Sequence, residues 1–115
     1  MSIVSSMSTA ISGLETNGQA LGVISDNIVN ANTTGFKGSR AEFQNVLAQE
    51  GAGGIQIGRG ARLAGVTNVL ADGAITRTDR STDLALSGNG FFTLKSDNLG
   101  QTFTRDGSFR FDKDG

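Results

Sequence analysis

The spacing of apolar residues over positions 3–31 constrains this chain more than any other feature. Side chains recur alternately every four and every three residues, which is the a/d stripe of a heptad pattern. The stripe consists of Ile3, Met7, Ala10, Leu14, Asn17, Leu21, Ile24, Ile28 and Ala31. This pattern predicts one long N-terminal helix of the coiled-coil type, roughly 40 Å in length at about 1.5 Å per residue.

The residues around the stripe indicate that this helix needs a partner. Glu15 and Asp26 are the only charged residues before Lys37, so the charges that usually flank a coiled-coil seam are missing. Gly13 and Gly18, like Gly22, each cost about 1 kcal/mol relative to alanine in a helix. One narrow apolar stripe has nothing to pack against when the helix stands alone. We therefore expect the stripe to be covered by another helix.

An alternative keeps the stripe within the chain, with an amphipathic helix lying on the chain's own core. This alternative is less favoured because the rest of the sequence offers little apolar surface of helix length. In either case Asn17 interrupts the stripe with a polar side chain. A buried polar residue at such a position can set the register between paired helices.

The segment after the helix changes character twice. Residues 32–35 (NTTG) are typical of a helix end, so the helix should stop near residues 31–32. Residues 40–49 (RAEFQNVLAQ) predict a short second helix that buries Phe43. Residues 51–60 (GAGGIQIGRG) are half glycine and predict a flexible link or a loose hairpin.

From Ala61 onward the apolar period changes from about 3.6 to 2, which is typical of strands. The predicted strands are residues 61–70, 74–78, 83–87, 91–95, 101–105 and 108–112. Asp72-Gly73 and Asp106-Gly107 lie between such runs and predict hairpin turns. The chain ends on Asp114-Gly115, and we expect the complete protein to continue with a return strand.

These elements predict an α+β fold in three parts. Residues 1–32 form the long helix, residues 33–60 form a transition segment with the short helix and the glycine-rich stretch, and residues 61–115 begin a β-rich outer domain.

The amino-acid composition argues against most kinds of catalytic, metal-binding and nucleic-acid-binding site. The chain has no Cys, His, Trp, Tyr or Pro, so it lacks an imidazole base, a thiolate nucleophile and the soft metal ligands. A net charge of −1 gives no electrostatic case for binding nucleic acid. Residues 1–30 have no basic residue followed by an apolar core, so no secretory signal peptide is predicted. No apolar run approaches the roughly 20 residues of a membrane-spanning helix.

Three short motifs suggest ligands and fail on inspection. Gly58-Arg59-Gly60 and Gly88-Asn89-Gly90 both begin like a dinucleotide loop, but neither has the third glycine. Residues 112–115 (DKDG) resemble the start of a calcium loop without its later ligands. Asp79 and Asp83 are a carboxylate pair with no third group or pocket. We predict no catalytic residue, no metal site and no cofactor.

Residues 26–37 (DNIVNANTTGFK) resemble the signature of the flagellar rod and hook axial protein family. The typical form has an Asn pair before an apolar residue, a further Asn, then Thr, Gly, an aromatic residue and Lys. The residues that match are Asn27, Asn30, Thr34, Gly35, Phe36 and Lys37. Val29 departs from the usual alanine, which could slightly spread the helix packing.

A second block resembles the same family's first outer segment. The usual elements are a Leu-Asp-Leu-Ala-like strand, Gly-x-Gly-Phe-Phe, and an aromatic-Thr-Arg-x-Gly-x-Phe run. The matching residues are Asp83, Leu84, Gly88, Gly90, Phe91, Phe92, Arg105, Gly107 and Phe109. Thr82 stands where leucine is usual. The two blocks occur in the expected order and together cover nearly all of the chain.

The resemblance implies a structural protein and not an enzyme. It implies a tubular polymer of many copies, exported through the flagellar type III apparatus, in which the stripe residues Ile3, Met7, Leu14, Leu21, Ile24 and Ile28 pack within and between subunits. It also implies neighbouring axial proteins as partners: the rod, the hook cap and the hook–filament junction. The expected location is the flagellar hook and basal body outside the cell, with no membrane or nucleic-acid partner.

The short glycine-rich stretch favours the hook members of the family, which transmit torque while bending. A distal or proximal rod protein is the leading alternative. A secreted binding module with a coiled-coil segment is a further one.

Overall fold

The structure is a computed structural model that describes residues 2–47, 57–96 and 98–114. It contains one helix and four strands within these ranges, which confirms the predicted α+β class. The chain divides into two compact units. The helix–hairpin unit comprises Met1–Val29 and Gly38–Val69, and the loop unit comprises Asn30–Lys37 and Leu70–Gly115.

Helix α1 spans Ile3–Val29, as the heptad pattern predicts. Ser2 caps its N-terminus, because the Ser2 hydroxyl oxygen accepts a hydrogen bond from the Ser5 N–H at 3.2 Å. The helix ends two residues before the predicted position. No helix among the described residues is long and apolar enough to cross a membrane.

The hairpin of this unit is built from β1 (Ser39–Asn45) and β2 (Ala61–Asn68), which pair antiparallel. A bulge interrupts the register, since Glu42 lies opposite Gly65 and Phe43 lies opposite Leu63.

The short second helix predicted over residues 40–49 is wrong, because β1 occupies Ser39–Asn45. Ala, Glu, Gln and Leu favour a helix locally, but a helix this short is marginal in water. Pairing along β2 supplies the same backbone groups with partners, and tertiary pairing overrides local propensity. Residues 48–49, and residues 51–56 of the glycine-rich stretch, lie outside the described residues.

Helix α1 contacts the hairpin through small and polar side chains. The half-buried or buried residues of α1 are Ser5, Thr9, Ser12, Gly13, Thr16, Ala20, Val23 and Asn27, and apart from Gly13 they recur every three or four positions. The Thr16 hydroxyl lies 3.1 Å from the Ala61 carbonyl oxygen, and the Thr16 residue is only 8% exposed. This docking face of α1 is distinct from the apolar stripe.

Two contacts fix the ends of the docking face. The Asn27 side-chain amide donates to the Ser39 carbonyl at 2.7 Å and accepts from the Ser39 N–H at 2.8 Å. At the other end Gly60 has a φ of +99°, and a Cβ at this position would collide with the Ser12 hydroxyl. Glycine is required there both for its backbone conformation and for its close approach to α1.

The loop unit holds a second hairpin, β3 (Phe92–Ser96) paired antiparallel with β4 (Gly100–Thr104). Asn98 and Leu99 form a turn before β4, and Gly100 has a φ of +71°. The rings of Phe92 and Phe109 meet edge to face, with centroids 5.2 Å apart. The predicted strands at 61–70, 91–95 and 101–105 are thus confirmed as β2, β3 and β4.

The predicted strands at 74–78, 83–87 and 108–112 are wrong. Only one isolated bridge, between Asp83 and Ser108, forms among these residues, because no neighbouring strand of the described chain pairs with them. The predicted hairpin turns at Asp72 and Asp106 are wrong for a related reason. Each carboxylate accepts a backbone N–H, from Gly88 at 2.9 Å and from Ser108 at 2.9 Å, outside any hairpin.

We predict that Asn27→Ala destabilises the helix–hairpin unit by about 1–3 kcal/mol, the usual cost of leaving paired polar groups without partners. The Ser39 N–H and carbonyl both lose their side-chain partner in this variant. Urea unfolding followed by circular dichroism, together with hydrogen exchange at the Ser39 amide, measures the effect. Asn17→Ala is the matched control, because Asn17 is exposed and lies off the docking face. An equal loss of stability in both variants would contradict this role for Asn27.

Candidate functional site

The apolar stripe of α1 is the candidate interaction surface of the helix–hairpin unit. Its members are exposed, from 50% at Ile24 to 81% at Ile3. These percentages refer to its large apolar side chains, which are Ile3, Met7, Leu14, Leu21, Ile24 and Ile28. Because the docking face carries the contact with the hairpin, the alternative of an apolar stripe lying on the chain's own core is not what the described residues show.

Neither unit has a hydrophobic core within the part of the chain that the structure describes. Among the described residues no apolar side chain is fully buried, and Phe43, Val66 and Leu94 are between 40% and 50% exposed. Burying a large apolar side chain contributes about 1.5–3 kcal/mol. The six stripe residues therefore represent on the order of 10 kcal/mol that is available to association. This exceeds the roughly 3 kcal/mol that three glycines cost the helix.

In the loop unit, charged residues from the two sequence blocks meet at Asp72. The Arg105 Nη2 atom lies 2.8 Å from the Asp72 Oδ1 atom, and the Lys37 Nζ atom lies 3.7 Å from the same oxygen. The other carboxylate oxygen accepts a hydrogen bond from the Gly88 N–H at 2.9 Å. We call Lys37, Asp72, Gly88 and Arg105 the Asp72 network.

Arg105 also binds the loop of residues 86–90, through the backbone carbonyl oxygens of that loop. Its guanidinium donates to the carbonyls of Leu86 at 3.1 Å and Gly88 at 2.6 Å, and to that of Gly90. A planar guanidinium with several fixed donors suits this task better than a lysine ammonium would. The Arg105 side chain is only 10% exposed, whereas that of Asp72 is 45% exposed.

Lys37 joins the Asp72 network from the first sequence block. Its ammonium donates to the Ala71 carbonyl at 2.8 Å and to the Leu70 carbonyl at 3.4 Å. The last motif residue is thereby fixed to the segment that carries Asp72.

The surroundings of Asp72 favour its ionised form. The Gly88 N–H contributes most to lowering the pKa of the Asp72 carboxyl below its ordinary value, desolvation opposes it, and the charges of Arg105 and Lys37 lower it further. Asp72 therefore stays charged down to a more acidic pH than a free aspartate.

The remaining motif residues shape the bend between the blocks. Gly35 has a φ of +72°, and a Cβ there would lie 2.6 Å from the Asp106 nitrogen and 2.7 Å from the Arg105 carbonyl carbon. The Thr33 hydroxyl donates to the Asn30 side-chain oxygen at 3.2 Å, and the Phe36 N–H donates to the Thr33 carbonyl at 3.2 Å. Thr34 is exposed.

The other residues of the second block lie around the isolated bridge. The Leu84 N–H donates to the Gly107 carbonyl at 3.0 Å. Asp83 forms an ion pair with Arg80 at 3.8 Å, although its Oδ1 atom has no hydrogen-bond donor among the described residues. Phe91 is 50% exposed.

A groove of about 880 Å³ lies within the loop unit, between residues 31–37 and residues 72–87. Asp72 and Asp83 are its carboxylates, and each already faces a cationic side chain. Among the described residues no group of three His, Cys, Asp or Glu side chains is placed to hold a metal ion. The arrangement positions backbone segments, and it offers no activated nucleophile.

Sequence reasoning missed Asp72, which was assigned only to a turn. Its one distinguishing sign is that no other carboxylate occurs between Glu50 and Asp79. The sequence does not say which cations Asp72 meets, because Glu42 is nearer to Lys37 along the chain and Asp106 is adjacent to Arg105.

Comparison with known proteins shows similarity over most of the chain. The family model described as "Flagella basal body rod protein" matches residues 7–37. The flagellar hook protein FlgE of Helicobacter mustelae is 40% identical over 96% of this chain and 27% of its own length. Those of Salmonella typhimurium and Escherichia coli K12 are each 40% identical, over 94% and 92% of this chain. The chain spans about a quarter of the length of these relatives.

We predict that Gly35→Ala destabilises the loop unit by about 1–3 kcal/mol, the cost of holding a residue with a Cβ at positive φ. The clash with the Arg105–Asp106 backbone adds to this cost. Gly73→Ala is the control, since a Cβ at Gly73 meets nothing within 4 Å. Urea unfolding of both variants measures the difference. A destabilisation of Gly35→Ala no larger than that of Gly73→Ala would show that the bend tolerates a side chain.

Proposed function

We propose, on the premise that this chain is a member of the flagellar rod and hook axial protein family, that it is part of a structural subunit of the bacterial flagellar hook. The subunit polymerises into a flexible tube that transmits torque from the motor to the filament. Its role is mechanical, and no catalysis is assigned to it. The flagellum outside the cell is the proposed location.

The observation that carries the proposal is the open apolar stripe of α1. Its residues face away from the hairpin that α1 contacts, and they remain at least half exposed. A chain that places an apolar stripe of this length outward is suited to packing against other subunits or other parts of a longer protein. The similarity to hook proteins over more than nine-tenths of the chain supports the same assignment.

The three parts of the chain have separate proposed tasks. Residues 1–32 line the inner tube through the stripe, residues 33–60 connect the layers, and residues 61–115 begin the outer domain. Motif residues such as Gly35 and Lys37 would fix the course of the chain between the layers, consistent with the contacts that they make.

The proposed partners follow from the same family. Many copies of the subunit pack together in the tube, and the rod, the hook cap and the hook–filament junction proteins lie next to it. The matched family model describes rod proteins, so a rod subunit is the second candidate.

We expect the double variant Leu14→Asp, Leu21→Asp in the complete protein to prevent tube assembly. Two carboxylates in the stripe would have to be desolvated when it is covered. Electron microscopy of purified protein under assembly conditions, and of cells, gives the readout. Gln19→Asp is the matched control, because Gln19 is exposed outside the stripe. If the double variant formed normal tubes, the stripe would not be part of the contact between subunits.

The shape of the tubes formed by the unsubstituted protein separates the candidates. Curved, flexible tubes support the hook assignment. Straight, rigid tubes support the rod assignment, and a protein that never polymerises contradicts both.

A further inference from the structure

Among the residues that the structure describes, Asp72 is the only carboxylate in contact with both cations of the Asp72 network. Arg105 and Lys37 approach the same oxygen, at 2.8 Å and 3.7 Å. Arg105 holds residues 86–90, and Lys37 is the last residue of the segment 30–37. One half-exposed carboxylate therefore joins two separate parts of the loop unit.

Each cation also has anchors that do not depend on Asp72. Arg105 donates to the carbonyls of Leu86, Gly88 and Gly90, and Lys37 donates to those of Leu70 and Ala71. Loss of the negative charge would thus leave each cation bound to its own carbonyls, with two positive charges that no longer share a counter-ion. Their side chains are only 10% and 17% exposed, so solvent screens their repulsion poorly.

Other charged groups of the loop unit do not replace Asp72. Arg77 and Arg80 line the same groove and add positive charge. Asp83 pairs with Arg80 at 3.8 Å, and the Asp106 carboxylate accepts the Ser108 N–H. The neighbourhood of Lys37 and Arg105 would therefore become strongly cationic without the Asp72 charge.

We propose that Asp72 is an acid-sensitive clasp, whose protonation separates residues 30–37 from the loop of residues 86–90. The direction of the effect follows from the pKa of Asp72, which the folded unit lowers below the ordinary value of 3.8. A group with a lowered pKa stabilises the folded arrangement above its unfolded-state pKa. That contribution decreases below about pH 4 and is lost once the pH falls through the lowered pKa.

Spin labels measure the separation directly. The chain has no cysteine of its own, so Thr34→Cys and Asn89→Cys place one label on each side of the clasp at exposed positions. Distances are recorded by double electron–electron resonance in the complete protein, from neutral pH to about pH 2.5, a range that spans carboxyl titration. A return to neutral pH tests reversibility.

Two further substitutions identify the responsible carboxylate. Asp72→Asn keeps the shape and an acceptor for the Gly88 N–H but removes the charge. Asp79→Asn removes a different carboxylate that contacts neither Lys37 nor Arg105. Other carboxylates titrate in the same range, so the comparison between these variants decides the outcome.

We expect the label distance to lengthen reversibly in acid, with a midpoint below the ordinary carboxyl value of 3.8. Asp72→Asn should show the longer distance already at neutral pH and lose the pH dependence, whereas Asp79→Asn should behave like the unsubstituted protein. A distance that stays short in acid would overturn the proposal. So would an Asp72→Asn protein that keeps the short distance at neutral pH or retains the full pH dependence.

Discussion

Hydrogen bonds from polar side chains to the backbone are the interactions on which both units depend. No apolar side chain is fully buried among the described residues, so hydrophobic burial cannot provide the usual internal support. Asn27 instead pairs with both backbone groups of Ser39, and Arg105 binds three carbonyls of one loop. Such bonds are directional, which fixes geometry well, but each contributes only about 1 kcal/mol in net stability. These hydrogen bonds therefore fix the backbone geometry at a few residues, and the segments between those residues are only weakly stabilised.

The parts of the fold that the sequence predicts well are those with a strong repeating pattern. The heptad stripe predicted α1 because its period persists over most of the helix, and the alternating pattern predicted β2, β3 and β4. The alternation at residues 108–112 is also regular, with Phe109 and Phe111 between polar residues, yet no strand forms, because pairing also needs a neighbouring strand that the described residues do not supply. At residues 40–49 the local preference for a helix was real but weaker than the pairing of β1 with β2.

The candidate site, like the fold, is only partly predictable from the sequence. The sequence motifs located Lys37, Gly88, Gly90 and Arg105, but the motifs do not say that these residues meet at one place. That information depends on Asp72, whose partners are 35 residues before it and 33 after it in the chain, as the contacts of Lys37 and Arg105 show. The docking face of α1 was missed because small and polar residues carry no hydrophobic periodicity. Its one sequence sign is a second series of Ser, Thr and Asn at helical spacing.

The exposure of the stripe also has a thermal consequence. The heat capacity of unfolding arises mainly from the apolar surface that becomes hydrated. Because no apolar side chain is completely buried in the described ranges, the chain should unfold with a small heat capacity change and a broad transition. A larger heat capacity change should accompany the association that buries the stripe residues. Temperature would then act on the association of α1 with its partners more strongly than on the internal structure of either unit.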